Sequence, residues 1–154
     1  MSLNNLEDEG VIVLAQTIMN SKSLISVNLS SNEIKGNGGV VLFNGLTFNQ
    51  SIVEVNLSSV GVGAKKNRLR ALGVKPLKTL LASNKILTFL DVSGNSISRE
   101  GLEHILSGLK VNRNLLSLKL GKNDLSGDCL KPLFKTLKDT EIKELDISNN
   151  PIGK

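Results

Sequence analysis

Residues that could carry out chemistry are scarce in this sequence, which has one histidine, His104, and one cysteine, Cys129. A cysteine nucleophile paired with a histidine would need both, and so would a two-residue metal site. Their spacing supports neither arrangement. His104 adjoins Glu103 on the predicted solvent side of a helical segment, and Cys129 lies near a predicted helix start, where a small packed side chain is expected. These residues therefore predict neither a catalytic pair nor a metal site.

Paired carboxylates and a glycine-rich turn are the other chemical candidates. Asp91 and Asp146 could act as a hydrolytic pair, but the repeat pattern described below places them about 10 Å apart with Lys119 between them. The turn at residues 36–39, Gly-Asn-Gly-Gly, lacks the Lys-Ser/Thr pair that a phosphate-binding loop needs. The sequence thus predicts a protein that is not an enzyme and that uses neither a cofactor nor a metal.

Composition predicts one aliphatic domain. The chain has 154 residues, 40% of them hydrophobic, with four phenylalanines and no tryptophan or tyrosine. One cysteine cannot form an intramolecular disulfide framework, and neither a signal peptide nor an apolar run of about 18 residues is present. We therefore expect a cytoplasmic protein without a transmembrane segment. The net charge is +5, and the stretch 55–90 contributes seven Lys or Arg and no acid.

The stretch from Leu87 to Ile97, Leu-Thr-Phe-Leu-Asp-Val-Ser-Gly-Asn-Ser-Ile, recurs along the chain. Aliphatic residues stand at its first, fourth, sixth and eleventh positions, and asparagine stands at the ninth. Five copies begin at residues 24, 52, 87, 115 and 142, so successive copies are 28, 35, 28 and 27 residues apart. The chain is therefore a tandem repeat.

Each copy is followed by a segment with apolar residues at helical spacing, as in Leu102, Ile105, Leu106 and Leu109. One strand and one helix fill such a period. Identical units side by side make a parallel sheet, and strands about 4.8 Å apart pack more closely than helices about 8 to 10 Å apart. We therefore predict an α/β solenoid with a curved parallel sheet on the concave face, helices on the convex face, and strands centred near residues 27, 55, 90, 118 and 145.

The pattern Leu-x-x-Leu-x-Leu-x-x-Asn-x-Ile, with a period near 28 residues, resembles the leucine-rich repeats of the ribonuclease-inhibitor type. That group includes the repeat domains of NOD-like receptors, of the Ran GTPase-activating protein and of tropomodulin. The resemblance implies that residues 1–154 form a single leucine-rich-repeat domain, a fragment of a longer repeat array. It also implies an asparagine ladder, in which side-chain amides bond the backbone of the turns, at Asn32, Asn95, Asn123 and Asn150.

The repeat that begins at Ile52 departs from this pattern. Val60 stands at the asparagine position and has no polar atom for the ladder, and the period is seven residues too long. Aligning Gly73 with Gly101 places the extra residues at about Ala64 to Arg70, in the connection between strand and helix. This segment supplies a basic rim loop beside the open face of the sheet, with Lys65, Lys66, Arg68 and Arg70.

Alternation along the strands points several chemically distinctive side chains toward the open face: Glu54, Phe89, Asp91, Lys119 and Asp146. Asp91, Lys119 and Asp146 fall on consecutive strands, so we expect their charges to balance locally. Phe89 is a large apolar side chain at a position that faces solvent. It is either a lone exposed apolar residue or an anchor for a partner. Together with the four basic rim residues, these five form the predicted partner-binding surface.

A non-catalytic intracellular protein–protein interaction module is the leading function, which the resemblance implies. The partner would bind the concave sheet face and the basic rim loop, and an acidic partner surface would suit that loop. The family suggests two alternatives, regulation of a small GTPase and binding at an actin filament end. A further alternative is binding of nucleic acid or acidic lipid through the basic insert. Nucleic acid is the poorer candidate, since the insert lacks aromatic side chains that stack on bases.

Overall fold

The chain forms a five-stranded parallel sheet backed by helices, in a computed structural model that describes residues 1–59 and 66–153. The strands lie side by side in chain order, and each is parallel to the next. They are β1 Ser26–Asn28, β2 Glu54–Asn56, β3 Phe89–Asp91, β4 Ser117–Lys119 and β5 Glu144–Asp146. The predicted α/β solenoid and its five strand positions are confirmed.

Helices alternate with the strands along the chain, beginning with one helix before β1, and helices of neighbouring repeats pack against one another. They are α1 Glu7–Asn20, α2 Gly36–Phe48, α3 Arg70–Val74, α4 Leu77–Ser83, α5 Ser98–Leu109 and α6 Leu130–Leu137, with a 3-10 turn at Gly127–Cys129 before α6. The helical segment of the irregular repeat is split into α3 and α4 at Pro76, which has no N–H to continue the helical bonding.

The repeated aliphatic positions form one hydrophobic cluster between the sheet and the helices. Val55, Leu90 and Leu118, at the centres of β2, β3 and β4, are fully buried, and Ile105 of α5 closes the opposite side. Each strand is only three residues long. Burial of these side chains, rather than the extent of strand pairing, therefore supplies most of the stabilisation that holds each repeat in register.

The irregular repeat keeps a ladder asparagine, and that residue is Asn67. Its Oδ1 accepts hydrogen bonds from the backbone N–H groups of Asn32 at 2.9 Å and Ile34 at 3.0 Å. Its Nδ2 donates to the carbonyl oxygens of Leu29 and Leu57, both at 3.0 Å. Since Asn67 is fully buried, these four bonds satisfy backbone groups that water cannot reach.

Asn150 makes the same set of bonds in the last repeat. Its Oδ1 accepts from two backbone N–H groups of the preceding repeat, at 2.7 and 3.1 Å. Its Nδ2 donates to the carbonyl oxygens of Leu120 at 2.9 Å and Ile147 at 2.8 Å. These four bonds match those of Asn67, and Asn150 Nδ2 also lies 3.4 Å from Ser148 O. The match places Asn67 at the ninth position of its repeat, although it lies fifteen residues after Ile52 instead of eight.

Two predictions about the irregular repeat are therefore wrong. The ladder place of this repeat is taken by Asn67 and was wrongly assigned to Val60, which lies outside the described residues. Leu69, fully buried, takes the aliphatic place two residues later. The extra residues are consequently not Ala64 to Arg70. They fall between Ser59 and Asn67, before the turn instead of after it.

The other ladder asparagines also bond neighbouring turns. Asn95 Nδ2 donates to Leu57 O at 2.8 Å, and Asn123 Nδ2 donates to Val92 O at 3.0 Å. Asn123 Oδ1 accepts from the backbone N–H of Asn95 at 2.8 Å. These contacts link each turn to the one before it.

A second row of buried asparagines, which sequence reasoning missed, lies at the opposite end of the strands: Asn49, Asn84 and Asn112. Each stands three residues before a repeat motif. Asn84 Oδ1 accepts from the N–H groups of Ile86 and Leu87, and its Nδ2 donates to Leu46 O and Asn49 O. The recurrence of asparagine at this offset was the available signal. Amide side chains therefore link neighbouring repeats both before and after the strands.

Candidate interaction surface

The strand register arranges the open face of the sheet in two rows. One row runs Ser26, Glu54, Phe89, Ser117, Glu144, and the other runs Asn28, Asn56, Asp91, Lys119, Asp146. The five predicted residues of this face are thus on neighbouring strands. Directly opposed side chains in such rows stand about 5 Å apart, so a single partner could touch several of them.

Phe89 is partly covered by its own fold. The Nζ of Lys119, on the next strand, lies 5.7 Å from the centre of the phenyl ring. This distance allows a cation–π contact. The ring is half-buried. Part of it is exposed and part lies under the ammonium group of Lys119, so Phe89 is not an isolated residue in solvent.

Lys119 is held by Glu144 on the adjacent strand. Lys119 Nζ lies 3.2 Å from Glu144 Oε1, and Ser117 Oγ donates to Glu144 Oε2 at 2.7 Å. The hydroxyl of Ser117, and then the ammonium of Lys119, lower the pKa of the Glu144 carboxyl from its ordinary value. Ser117 and Glu144 are additions to the predicted site. Ser117 and Glu144 are directly opposed in their row, whereas the contact between Lys119 and Glu144 is diagonal, and the row positions alone did not indicate it.

Asp91 and Asp146 flank Lys119 in their row, and each carboxylate also bonds the turn of its own repeat. Asp91 Oδ1 accepts the backbone N–H of Ser93 at 2.9 Å, and Asp146 Oδ1 accepts that of Ser148 at 2.8 Å. The Ser148 bond lowers the pKa of the Asp146 carboxyl. The local charge balance stays a prediction: the charge of Lys119 also lowers the Asp146 pKa, while the described ion pair of Lys119 is the diagonal one with Glu144.

The same short turn recurs in the row that contains Asp91. Asn28 Oδ1 accepts from the N–H of Ser30, and Asn56 Oδ1 accepts from the N–H of Ser58. Asparagine or aspartate at this position thus closes the turn after the strand in four repeats. Lysine cannot accept such a bond, so the side chain of Lys119 is free to reach Glu144.

Basic side chains gather at the rim beyond β2 and β3. Lys66, Arg68 and Arg70 line a cavity of about 370 Å³ together with Lys122 from the turn after β4. All four side chains are exposed. Lys65, the remaining predicted rim residue, lies outside the described residues. Lys122 was not predicted, since it belongs to a repeat whose turn sequence is regular.

The two residues first considered for chemistry lie in different surroundings. The thiol-bearing Cys129 is 1% exposed and packs into the core, while His104 on α5 is half-buried.

Within residues 1–59 and 66–153, no group of three or more His, Cys, Asp or Glu side chains could hold a metal ion. No helix in those ranges is long and apolar enough to cross a bilayer.

The leucine-rich repeat family pattern matches residues 1–15, 20–43, 83–106 and 111–134, which is more than half of the chain. The chain belongs to the leucine-rich repeat family. The stretch 44–82, which contains the irregular repeat, falls outside the match. This gap is consistent with the displaced asparagine at Asn67.

Two known proteins are similar to this leucine-rich repeat chain. A Rho GTPase-activating protein, gacW, of Dictyostelium discoideum is 29% identical over 154 residues, which is 99% of this chain and 14% of that protein. The solved structure of leiomodin-1 actin-binding site 2 superposes with a TM-score of 0.75 at 19% identity, covering 89% of this chain and 76% of that one. The chain thus spans about a seventh of the curated relative, and the structural likeness establishes the fold alone.

Proposed function

We propose that this leucine-rich repeat domain is a non-catalytic protein-interaction module that binds its partner on the concave sheet face. The single observation that carries the proposal is the cluster of Phe89, Lys119 and Glu144. It combines a half-buried aromatic ring with charged groups that are already held in place. Interface hot spots typically have this composition, an aromatic anchor surrounded by polar contacts. Glu54, Asp91 and Asp146 lie around the cluster and would form its polar surroundings.

The basic rim would favour a partner with an acidic surface. Lys66, Arg68 and Arg70 are exposed beside the sheet, and Lys65 precedes them in the sequence. Like charges grouped in this way accelerate encounter with an oppositely charged surface, and salt weakens the effect because the screening length is about 8 Å at physiological ionic strength. We expect the association rate to fall as salt is added.

We also propose a cytoplasmic location and the ribonuclease-inhibitor subtype of the repeat. The 28-residue strand-plus-helix unit supports the subtype.

A matched pair of substitutions tests the role of the concave face. Phe89→Ala should weaken binding of the partner by more than about 1 kcal/mol while thermal unfolding changes little. Phe48→Ala is the control, because Phe48 ends α2, away from the sheet, and is 70% exposed. Proteins retained by the immobilised wild-type and Phe48→Ala chains but lost from Phe89→Ala would be the partners. Equal retention by all three chains would contradict the proposal, and a large drop in stability of Phe89→Ala would mean that the ring serves the fold.

Regulation of a small GTPase is a second candidate, favoured by the 29% identity to part of a Rho GTPase-activating protein along 99% of this chain. The similarity concerns a repeat segment, so the proposed role is recognition and not catalysis. Purified Rho-family GTPases loaded with GDP or with a non-hydrolysable GTP analogue would be tested for binding to the wild-type and Phe89→Ala chains. Binding that depends on Phe89 would support this candidate, and absence of binding in both nucleotide states would exclude it. Actin binding has no comparable support, since the structural likeness is only 19% identical.

A further inference from the structure

The rim cavity has a floor of small residues. Ser59, Gly94 and Ser96 contribute to it, and each has a short side chain or none. Gly94 has φ of +72°, and a Cβ atom built on it would lie 2.7 Å from the carbonyl oxygen of Ser59. A side chain at this position is therefore disfavoured by both backbone conformation and contact, so residue 94 itself leaves the cavity unfilled.

Cations stand around this floor on different turns. Lys66, Arg68 and Arg70 come from the irregular repeat, and Lys122 comes from the turn after β4, beyond Gly94. Lys122 N–H bonds Ser148 O at 2.9 Å, which fixes its backbone to the next turn. The positive groups thus surround a shared space, which is different from four lysines or arginines scattered on a surface.

The backbone carrying the two arginines is fixed by its neighbours. Arg68 N–H donates to Ile34 O at 2.7 Å, and Arg70 N–H donates to Asn95 O at 3.0 Å. Ser59 Oγ donates to Asn67 O at 2.9 Å and ties the turn to the floor. Positions fixed in this way lose little backbone entropy when a ligand binds.

The positive charge of the cavity is largely uncompensated. Asp124 is the single carboxylate among its described lining residues, against four cationic side chains. Among residues 1–59 and 66–153, no ion pair includes Lys66, Arg68, Arg70 or Lys122, and the ion pairs found there are Arg99–Glu103, Arg99–Asp128 and Lys119–Glu144. Two guanidinium groups in one cavity can each offer paired donors to a tetrahedral oxyanion.

We propose that the rim cavity binds one phosphate group carried by a phosphorylated side chain of a protein partner. The inference rests on the proposed function, because the partner would reach the cavity while seated on the adjacent concave face. A phosphorylated side chain carries a charge of about −1.5 to −2 and three acceptor oxygens, which suits several converging cations better than one carboxylate would. A volume of about 370 Å³ is large enough to admit such a group.

A membrane surface fits this geometry less well. Flat anionic bilayers are bound by basic side chains spread over a broad face or along an amphipathic helix. Here the four cations surround a recess with Asp124 among them, so only a small group could contact them together. Nucleic acid would present many phosphates and bases, and the described cavity lining has no aromatic side chain to stack on a base.

The first test uses inorganic phosphate and amide NMR on the whole chain. Phosphate should shift the amide signals of Gly94 and Ser96 saturably, whereas chloride at the same ionic strength should not. Arg68→Gln with Arg70→Gln should weaken phosphate binding about tenfold or more, because two charge-assisted contacts are lost. Lys75→Gln with Lys78→Gln removes the same charge from exposed sites in the same repeat outside the cavity, and should change binding less than about twofold. Equal losses in the two double variants, or no saturable shift, would overturn the proposal.

A second variant blocks the floor without removing a cation. Ser96→Asp should abolish phosphate binding by placing a carboxylate in the cavity. It should fold normally, because Ser96 has φ of 52° and Asp124, at the same position of the next repeat, has φ of 60°. Undiminished phosphate binding by folded Ser96→Asp would contradict the assigned site.

Three short peptides and a vesicle distinguish the sources of the phosphate. Acetyl-Gly-phosphoSer-Gly-amide should displace inorganic phosphate, and the unphosphorylated and Glu-containing forms should compete at least about tenfold more weakly. Equal competition by the Glu peptide would reduce the cavity to a general acidic contact and overturn the proposal. Vesicle binding to phosphatidylserine that depends on Arg68 and Arg70 and that resists the phosphopeptide would replace it with a membrane role.

The outcome is separable from that of the proposed function. Phe89→Ala should bind inorganic phosphate as the wild-type chain does, because Phe89 does not line the cavity. Failure of the phosphate titration together with Phe89-dependent partner binding would remove only the cavity assignment. Phosphate binding without any Phe89-dependent partner would instead remove the proposed function.

Discussion

The repeats that begin at Ile52 and Ile142 reach the same hydrogen-bonded arrangement from sequences of different length. In the first, the ladder asparagine follows the opening residue by fifteen positions, and in the second by eight. Asn67 and Asn150 nevertheless accept from and donate to equivalent backbone groups. The comparison teaches that a position in this solenoid is defined by the bonds the neighbouring turn requires, and not by counting residues from the strand.

The energetic reason is that a longer connection costs less free energy than a buried backbone group without a hydrogen-bond partner. Lengthening a surface connection costs little, since each doubling of a flexible loop adds only about 0.6 kcal/mol of closure entropy. Leaving a buried backbone N–H or carbonyl without a partner costs about 1 to 3 kcal/mol for each group. An insertion between Ser59 and Asn67 is therefore tolerated as long as Asn67 still reaches its four partners.

Two deletions of equal length should separate these costs most clearly. Deleting residues 64–70 removes Asn67 and puts Val60 at the ladder position, so unfolding should become easier by about 4 kcal/mol or more. Deleting residues 60–66 joins Ser59 to Asn67 and restores the regular motif. Its stability should stay within about 1 kcal/mol of the intact chain. Urea unfolding followed by circular dichroism would measure both.

The shorter connection requires Ser59 to adopt a left-handed backbone, as Ser31 does at the same position with φ of 52°. The two deletion variants are matched in length and each removes residues of the irregular repeat. If the 64–70 deletion were the more stable of the two, the assignment of Asn67 to the ladder would be incorrect.

Single substitutions should give the next largest effect. Asn67→Ala and Asn95→Ala should each lower the free energy of unfolding by about 3 kcal/mol, because each removes several buried amide bonds. Asn37→Ala, at an exposed site in the first turn of α2, should change it by less than about 0.5 kcal/mol. The comparison would fail if Asn67→Ala behaved like Asn37→Ala, as expected of a residue in an unstructured insert.

The strand positions and the rows of the open face could be predicted because burial enforces a fixed alternation. Leu90 and Leu118 must face the helices, and this determines which neighbours face solvent. Fixed offsets could not predict the position of the insert. They assign Val60 to the asparagine position, because Val60 lies eight residues after Ile52. The triplet Asn67-Arg68-Leu69 repeats the Asn-x-aliphatic end of the motif and would have indicated the correct alignment.

The contacts within the candidate site were less predictable than its membership. Row positions place Lys119 opposite Asp91 and Asp146, but its long flexible side chain pairs diagonally with Glu144. The short aspartate side chains instead bond their own turns, a local alternative that the strand pattern does not reveal. Side-chain length, and not position alone, decides which of several nearby charges pair.

Lys119 departs from the repeat in another way, because it replaces the asparagine or aspartate found at this position in the other repeats. The comparison between an insertion and a substitution can therefore be tested as well. The insertion is compensated within its own repeat by Asn67, whereas nothing restores the turn-closing asparagine or aspartate at Lys119. A contact with the next strand takes its place, through Glu144 and Ser117. We therefore expect the consequences of this substitution to be confined to the open face.

The smallest predicted effect concerns the pKa of Glu144. Ser117 Oγ and Lys119 Nζ stabilise its charged form, so the folded-state pKa lies below the unfolded one. The resulting stabilisation is complete above the unfolded-state pKa and is lost as the pH falls through the folded-state pKa. Ser117→Ala should raise the Glu144 pKa, because the hydroxyl bond is the largest single cause, and Lys119→Gln should raise it as well, because it removes the charge of the ammonium and its bond. Carboxyl chemical shifts measured against pH would resolve which rise is larger.

Ser126→Ala supplies the control for that titration. It also deletes a serine hydroxyl bonded to a carboxylate, but its partner is Asp128, in the 3-10 turn before α6. This hydroxyl is the largest single cause that lowers the Asp128 pKa, followed by the guanidinium of Arg99, so the Asp128 pKa should rise in Ser126→Ala while that of Glu144 stays unchanged. Since Glu144 is exposed, little change in overall stability is expected in any of the three variants. A larger rise in Lys119→Gln than in Ser117→Ala would mean that the ion pair, rather than the hydroxyl, compensates for the missing turn-closing residue.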